Sequence, residues 1–263
     1  MATTNEHSAT AQHFQLPEVR EVDALRAFNW LARGWADFSA LGVKSAFYGL
    51  CFAGMGLLIL LVFRFAIDYT STLTTGFMLV GPFLAVGLYD LSRQREAGQP
   101  VVLARSLLAW RSNAGGIGIY VLILTVAFLV WARASLVTFA LFEARALPTW
   151  AAFFAQLVAL ENLAFVGAFF GVGFFFAALV FAFSAISIPC LLDRRADPIT
   201  AAVLSIVAVF RNPAAMLVWA VLIVLLIGIG FATFYVGLIV TGPLVGHATW
   251  HAYRDLVNQP APA

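Results

Sequence analysis

Charged side chains are scarce in this chain. Only 11% of its 263 residues are Asp, Glu, Lys or Arg, whereas 62% are hydrophobic, and the mean hydropathy is +0.94. A soluble domain carries about 25% charged residues, so this composition predicts a protein whose solvent is the lipid bilayer. The net charge of +2 is small and the basic residues are spread along the chain, which argues against a nucleic-acid-binding protein.

Cysteine and histidine are scarce as well. Cys51 and Cys190 lie near the inner ends of predicted spans without other ligands nearby, so we interpret both as packing residues. Of the four histidines, only His247 and His251 fall in a predicted span. A haem held between two helices usually needs a histidine from each, so we predict no cofactor and in particular no haem.

Long uncharged stretches are what the sequence does contain. About 20 apolar residues cross the hydrocarbon core of a bilayer, and the last stretch is long enough for two helices joined by a turn near Gly228–Thr233. The sequence therefore predicts an all-α membrane protein, with residues 21–257 forming one domain between a disordered tail (1–20) and a short C-terminal tail (258–263). The six predicted transmembrane helices are 45–66, 72–91, 114–133, 163–190, 213–231 and 234–254.

The distribution of basic residues predicts the orientation. With the N-terminus inside, twelve basic residues face the cytoplasm and only Arg64, Arg133 and Arg145 lie outside. Basic residues are concentrated on the cytoplasmic side of membrane proteins. We therefore predict a protein of the bacterial inner membrane with both termini in the cytoplasm.

The predicted spans form three similar units. Each pair of spans follows a segment with an apolar face and basic flanks, at about 25–40, 100–111 and 198–210, which is typical of a helix lying in the membrane interface. Asp197 followed by Pro198 predicts the start of the third segment. In the first segment, the apolar residues at helical spacing are Phe28, Leu31, Trp35 and Phe38.

Proline and glycine mark further features of the spans. Pro82, Pro189 and Pro243 each lie in the inner half of a returning span, where proline frees a backbone carbonyl and kinks the helix. The kinks could line a cavity for an ion or solute, or simply shape the packing. Pairs of glycines four residues apart predict close helix contacts; these are Gly167 with Gly171, and Gly242 with Gly246.

His247 and His251 form the most suggestive polar motif. Histidines four residues apart lie on one helix face, as a zinc site requires. A tetrahedral site would need further ligands, for which Asp90 and Asp193 at other inner helix ends are candidates. The alternative is that both rings anchor the helix among lipid headgroups. Asp90, Asp193 and Asp255, each near an arginine, are interpreted as interfacial ion pairs.

Three segments resemble a known family. The run from Gly242 to Arg254, together with Gly81–Asp90 and Asp193–Asp197, is similar to a domain-of-unknown-function family of bacterial integral membrane proteins. The resemblance extends over roughly residues 28–257 and is most specific in the C-terminal run. Members often carry the label of a cytochrome c oxidase subunit, but two membrane histidines on one helix do not suffice for the haems and copper of a catalytic subunit.

The functional expectation follows from what the spans lack. No catalytic triad, phosphate loop or pair of carboxylates within the membrane is found, so we expect no enzyme. We expect a non-catalytic accessory, assembly or organising protein that binds the bilayer and another integral membrane complex, for which the family label implies a respiratory one. The alternatives are a transporter or channel for ions or small solutes, and a metal-binding protein that uses His247 and His251.

Overall fold

The computed structural model describes residues 17–65, 70–142 and 163–258. Within these ranges the secondary structure is helical apart from one isolated β-bridge, which confirms the all-α class. A short 3-10 helix, Ala109–Asn113, precedes the fifth α-helix. The α-helices are α1 (Arg26–Leu41), α2 (Val43–Phe65), α3 (Thr70–Glu96), α4 (Leu103–Leu107), α5 (Ala114–Phe142), α6 (Leu163–Ser184), α7 (Ser187–Arg194), α8 (Pro198–Arg211), α9 (Pro213–Ala232) and α10 (Leu238–Leu256).

Four stretches of the described chain are long and apolar enough to cross a membrane. They are Val43–Phe65, Ala109–Thr138, Leu163–Arg194 and Pro213–Ala232. The two other predicted spans are present as helices, α3 and α10, but neither is among the four. Helix α3 begins with threonines and serine and ends with charged residues, and the second half of α10 is rich in polar side chains.

Hydrogen bonds connect the start of α2 with the segment after α3, and the segment before α5 with the end of α7. Lys44 Nζ at the start of α2 donates to the Val101 carbonyl after α3, at 2.7 Å. Asn113 Nδ2 before α5 donates to the carbonyls of Leu191 and Ala196, at 3.0 and 2.9 Å, around the end of α7. Helices α2 and α3, α5 and α6, and α9 and α10 also pack against each other. The helices therefore form three hairpins.

The two ends of the described chain meet. Val19 and Val257 form the antiparallel β-bridge, and Arg20 N donates to the Leu256 carbonyl at 2.8 Å. Asn212, just before α9, accepts from Val22 N at 2.7 Å. Residues 17–20, which sequence analysis assigns to the tail, thus pair with the end of α10; residues 1–16 and 259–263 lie outside the described residues.

Helix α10 occupies the centre of the bundle. It packs against α1, α2, α3 and α9, and nearly all of its second half is buried. Two glycines allow the close approach: a Cβ at Gly34 of α1 would lie 2.7 Å from the Ala248 nitrogen, and a Cβ at Gly49 of α2 would lie 2.1 Å from the Ile239 oxygen. The polar side chains of α10 therefore face protein rather than lipid.

The two predicted glycine motifs differ in their packing. A Cβ at Gly246 would meet Leu88 at 2.7 Å, and one at Gly242 would meet Phe52 at 3.3 Å, so close helix contacts occur there as predicted. At Gly167 and Gly171 no atom of the described chain comes within 4 Å of such a Cβ. No close contact of this pair with another described residue is found, and its role in helix packing stays a prediction.

Helix boundaries show the roles of the prolines and caps. Pro82 and Pro243 lie inside α3 and α10, whereas Pro189 lies in α7, just after a break at residues 185–186. The carboxylate of Asp197 accepts from the backbone N–H groups of residues 199 and 200, and Pro198 begins α8, which confirms the predicted cap. Helix α5 continues to Phe142, nine residues beyond the predicted end.

Helix α1 is amphipathic with an unexpected buried face. The predicted apolar residues Phe28 and Trp35 are about half exposed, at 50% and 52%. An outward apolar face is compatible with a helix lying in the membrane interface. The face that packs against the bundle is a different one; it consists of Ala27, Trp30, Gly34, Asp37 and Leu41.

Candidate functional site

A buried polar network surrounds the two membrane histidines. Asp37 from α1, Ser45 from α2, Ser92 from α3, and His247 and His251 from α10 are all buried. The small residues at the α1–α10 and α2–α10 contacts bring these helices close enough for direct hydrogen bonds. One polar site therefore joins four helices.

Asp37 is the centre of the network. Its Oδ2 accepts from Ser92 Oγ at 2.5 Å and from His251 Nε2 at 2.9 Å, and its Oδ1 accepts from the guanidinium of Arg95. Burial by itself would raise the pKa of this carboxyl, but the hydrogen bonds from His251, Ser92 and Arg95 and the attraction of His251 lower it to about 2. Asp37 is therefore ionised at neutral pH.

The hydrogen-bond pattern assigns the protons of His247. Ser92 has a single hydroxyl proton, which it donates to the Asp37 carboxylate, so Ser92 Oγ accepts from His247 Nδ1 at 2.7 Å. In the neutral ring, His247 Nε2 then accepts from Ser45 Oγ at 2.8 Å. A continuous chain of hydrogen bonds thus runs from Ser45 through His247 and Ser92 to Asp37.

One ring nitrogen of His251 has no partner among the described residues. Nε2 donates to Asp37 because a carboxylate can only accept, whereas Nδ1 is buried with no hydrogen bond to a described residue. A histidine that donates one N–H to a carboxylate and offers its other nitrogen is the usual arrangement of a metal ligand. Nδ1 of His251 is therefore the nitrogen available to a zinc ion.

The surrounding residues do not complete a metal site as they stand. Both ring nitrogens of His247 are engaged by serines. Within the described ranges, no group of three histidine, cysteine or acidic side chains is arranged to hold a metal. The carboxylate that reaches the histidines is Asp37, not the proposed Asp90 or Asp193. Zinc binding at this pair stays a prediction, and the observed arrangement is a hydrogen-bonded network.

The other three aspartates lie apart in ion pairs of their own. Asp90 accepts from Arg93 and from Gln94 Nε2, the latter at 2.6 Å. Asp193 accepts from the Tyr253 hydroxyl at 2.9 Å and lies 3.7 Å from a nitrogen of Arg254. The predicted pairing with Arg93 is confirmed for Asp90, whereas the partner of Asp193 comes from α10.

Asp255 connects α10 with α1 instead of pairing with Arg254. Its carboxylate accepts from Arg26 Nε at 2.7 Å and Nη2 at 3.0 Å, and from Trp30 Nε1 at 2.8 Å. Burial would raise the pKa of Asp255, but these bonds lower it overall. Arg254 instead donates to Glu96 at 3.1 Å. Charged contacts between helices thus hold the same end of the bundle that carries the network.

The cavities between the helices are apolar. The larger, of about 440 Å³, lies between α2, α3, α9 and α10, and Thr74 and Tyr235 contribute the few polar groups of its lining. A second, of about 300 Å³, lies between α3, α5 and α6. Pro82 lines both cavities, while Pro189 and Pro243 line neither. The idea that the three prolines surround a single cavity is therefore not supported by their positions.

These features define the class of protein: an integral membrane bundle of helices with a buried polar network at one end. Residues 70–193 match the model of a family described as "Predicted integral membrane protein (DUF2189)". The resemblance found in the sequence is thereby confirmed over these residues. The match includes Gly81–Asp90 and ends at Asp193, so the C-terminal run and both histidines lie outside it. No curated protein and no solved structure matches the chain.

Proposed function

We propose that this chain is a six-span, non-catalytic protein of the bacterial inner membrane that binds and organises another integral membrane complex. A respiratory complex is the first partner to test. Three features support the proposal. The hairpin contacts favour an even number of crossings, the polar network is hydrogen-bonded mainly to side chains of the protein itself, and α6 exposes apolar side chains.

The hairpin contacts support six crossings. Helix α2 is long enough to span, and the chain after α3 returns to Lys44 at its start, which supports a crossing of α3 in the opposite direction. Helix α9 is also long enough, and the end of α10 pairs with Val19, next to the residues that bond Asn212 before α9. Helix α10 has 19 residues, which at 1.5 Å per residue is about 28 Å.

The bonding of the network supports a structural role. Most of its polar atoms are engaged by another side chain of the protein, and the arginine at Asp37 balances the carboxylate charge. A transport route for polar solutes needs polar groups that exchange with the solute. The two large cavities instead offer almost entirely apolar walls. A transporter of polar solutes is therefore the weaker candidate.

The single observation that supports a binding site for the proposed partner is the exposure of α6. Only 6% of the most apolar 18-residue stretch of Leu163–Arg194 is buried, against 22–28% in the three other candidate spans. Phe170, Phe174 and Phe175 are 52%, 75% and 61% exposed. Aromatic side chains are enriched where one protein binds another. Among the four candidate spans of the described chain, the one that contains α6 is therefore the least covered by the rest of the protein, which supports a site for a second membrane protein there.

Site-specific photo-cross-linking in native membranes tests the proposal. A photoreactive phenylalanine analogue at Phe174 should give one discrete adduct that copurifies in a fixed ratio with a single membrane complex. The matched control is the same analogue at Leu225, which is 57% exposed on α9. Adducts with lipid alone at Phe174, or the same protein adducts from both positions, would contradict a partner site on α6.

A further inference from the structure

A hydrogen-bonded connection joins the 3-10 helix with the end of α7, and an arginine lies on each side of this connection. Asn113 donates to the carbonyls of Leu191 and Ala196, at 3.0 and 2.9 Å. Arg111 lies two residues before Asn113, and Arg195 directly precedes Ala196. Both arginines are exposed. The hydrogen bonds therefore join the two segments that carry these arginines, at the end of the bundle where this hairpin begins and ends.

The carboxylates nearby are engaged by other groups. Asp90 accepts from Arg93 and Gln94, and Asp193 accepts from Tyr253. Asp197 caps α8 by accepting from the Ile199 and Thr200 N–H groups at 3.0 Å. Within the described ranges neither Arg111 nor Arg195 makes an ion pair with a carboxylate. Arg111 and Arg195 are thus exposed cations without a carboxylate partner among the described residues.

The arginine of the 3-10 helix is held beside apolar side chains. Its guanidinium lies over the ring of Trp110, 5.6 Å from the centroid, and Trp110 in turn packs edge-on against Phe83 of α3 at 5.8 Å. Leu107 and Leu108, just before it in the chain, are 41% and 48% exposed. Apolar side chains next to arginines match a lipid, whose acyl chains lie directly below its phosphate.

We propose that Arg111 and Arg195, with Trp110, form a binding site for the phosphate of an anionic phospholipid. The two guanidinium groups bind the headgroup phosphate, because arginine recognises phosphate through several parallel N–H donors. Trp110 and the neighbouring leucines contact the glycerol and the upper acyl chains. Arg111 precedes the first helix of the second hairpin and Arg195 follows its end. A lipid bound to both arginines would therefore also hold the two ends of that hairpin together.

The test compares lipid selectivity in nanodiscs made of equal parts of phosphatidylglycerol and phosphatidylcholine. Quenching of Trp110 fluorescence by brominated chains on one lipid or the other, corrected with W110F, measures the relative association constant at this site. Each arginine-to-glutamine change should lower the preference for phosphatidylglycerol about five-fold, with the largest loss in R111Q/R195Q. R111K should retain most of the preference because the charge remains.

The matched control is R64Q. Arg64 also lies over an aromatic ring, that of Phe65, at 5.7 Å, but at the opposite end of α2, so its loss should leave the preference at Trp110 unchanged. An equal preference in R111Q/R195Q and the wild type would overturn the proposal, as would an equal loss in R64Q. If the double variant does not fold, the two single variants decide by the same criterion.

Discussion

Asp37 of α1 accepts a 2.9 Å hydrogen bond from Nε2 of His251, a residue that follows it by 214 positions in the chain. The same carboxylate binds Ser92 and Arg95 of α3. One side chain of helix α1 therefore binds both α3 and α10 at the centre of the bundle. A helix assigned to the membrane surface by its apolar face is, on its other face, part of the core.

Replacing Asp37 by asparagine should destabilise the fold. The change removes the charge that balances Arg95 and converts one strong acceptor oxygen into an amide donor. Arg95 is 40% exposed and can be hydrated, so we expect a loss of about 2 kcal/mol, below the range for fully buried pairs. Thermal unfolding in detergent measures the loss. D23N, at an exposed aspartate of the preceding segment, serves as control and should change stability little.

The contribution of Asp37 should depend on pH in the acid range only. Its pKa falls from 3.8 to about 2 on folding, so the folded state binds the proton less tightly than the unfolded state does. The stabilisation is then complete above about pH 4 and disappears as the pH falls toward 2. The difference in stability between the wild type and D37N, measured from pH 7 to pH 2, should shrink only in that range. A difference that already shrinks near pH 6 would assign the titration to another group.

Two glycines of α2 should respond oppositely to alanine. A Cβ at Gly49 would lie 2.1 Å from the Ile239 carbonyl oxygen, so G49A must push α2 away from α10. At Gly54 nothing lies within 4 Å, and alanine favours the helix by about 1 kcal/mol. We expect G49A to lower the unfolding temperature and G54A to leave it equal or higher. Similar effects of both substitutions would contradict the close contact of α2 with α10.

Histidine replacement tests the metal and cofactor predictions. We expect the purified protein to carry no stoichiometric haem, and its absorption spectrum checks this. We also expect the zinc content to be the same in the wild type and in H247Q/H251Q, because serines occupy both nitrogens of His247. Elemental analysis after purification without chelators makes the comparison. One zinc per chain that the double variant loses would establish a site at His251 Nδ1.

The pairing of the chain ends predicts a cross-link. Residues opposite each other in an antiparallel bridge have Cα atoms about 4.5–5.5 Å apart, within the range of a disulfide. V19C/V257C, with Cys51 and Cys190 replaced by alanine, should therefore form a disulfide on mild oxidation. Reporter fusions at both ends should report the cytoplasm. A cross-link that fails, or ends on opposite sides, would contradict an even number of crossings.

Local signals in the sequence were sufficient for the helices. The cap at Asp197 and the turn after α9 depend on a few adjacent residues, and both are found close to their predicted positions. The end of α5 was placed too early because Arg133 was interpreted as the membrane boundary. A charged residue within a helix does not end it, and α5 continues to Phe142.

The network could be predicted only in part. His247 and His251 were recognisable because two histidines one turn apart are rare in a membrane helix. Asp37 lies in the first amphipathic segment, whose apolar residues Phe28 and Trp35 indicate only the outward face. Its spacing from Trp30 and Gly34, at seven and three residues, was the available signal for a second, buried face. Ser45 and Ser92 gave no signal, because only the packing of α10 makes them its neighbours.

The central position of α10 has a consequence for the synthesis and membrane insertion of the protein. Of the described helices it is the last to leave the ribosome, yet it carries both histidines and contacts four other helices. Until it inserts, the carboxylate of Asp37 and the hydroxyls of Ser45 and Ser92 lack their histidine partners. Assembly of this bundle is thus completed by its final segment, and nascent chains that stop short of α10 present unpaired polar groups to the quality-control proteases of the membrane.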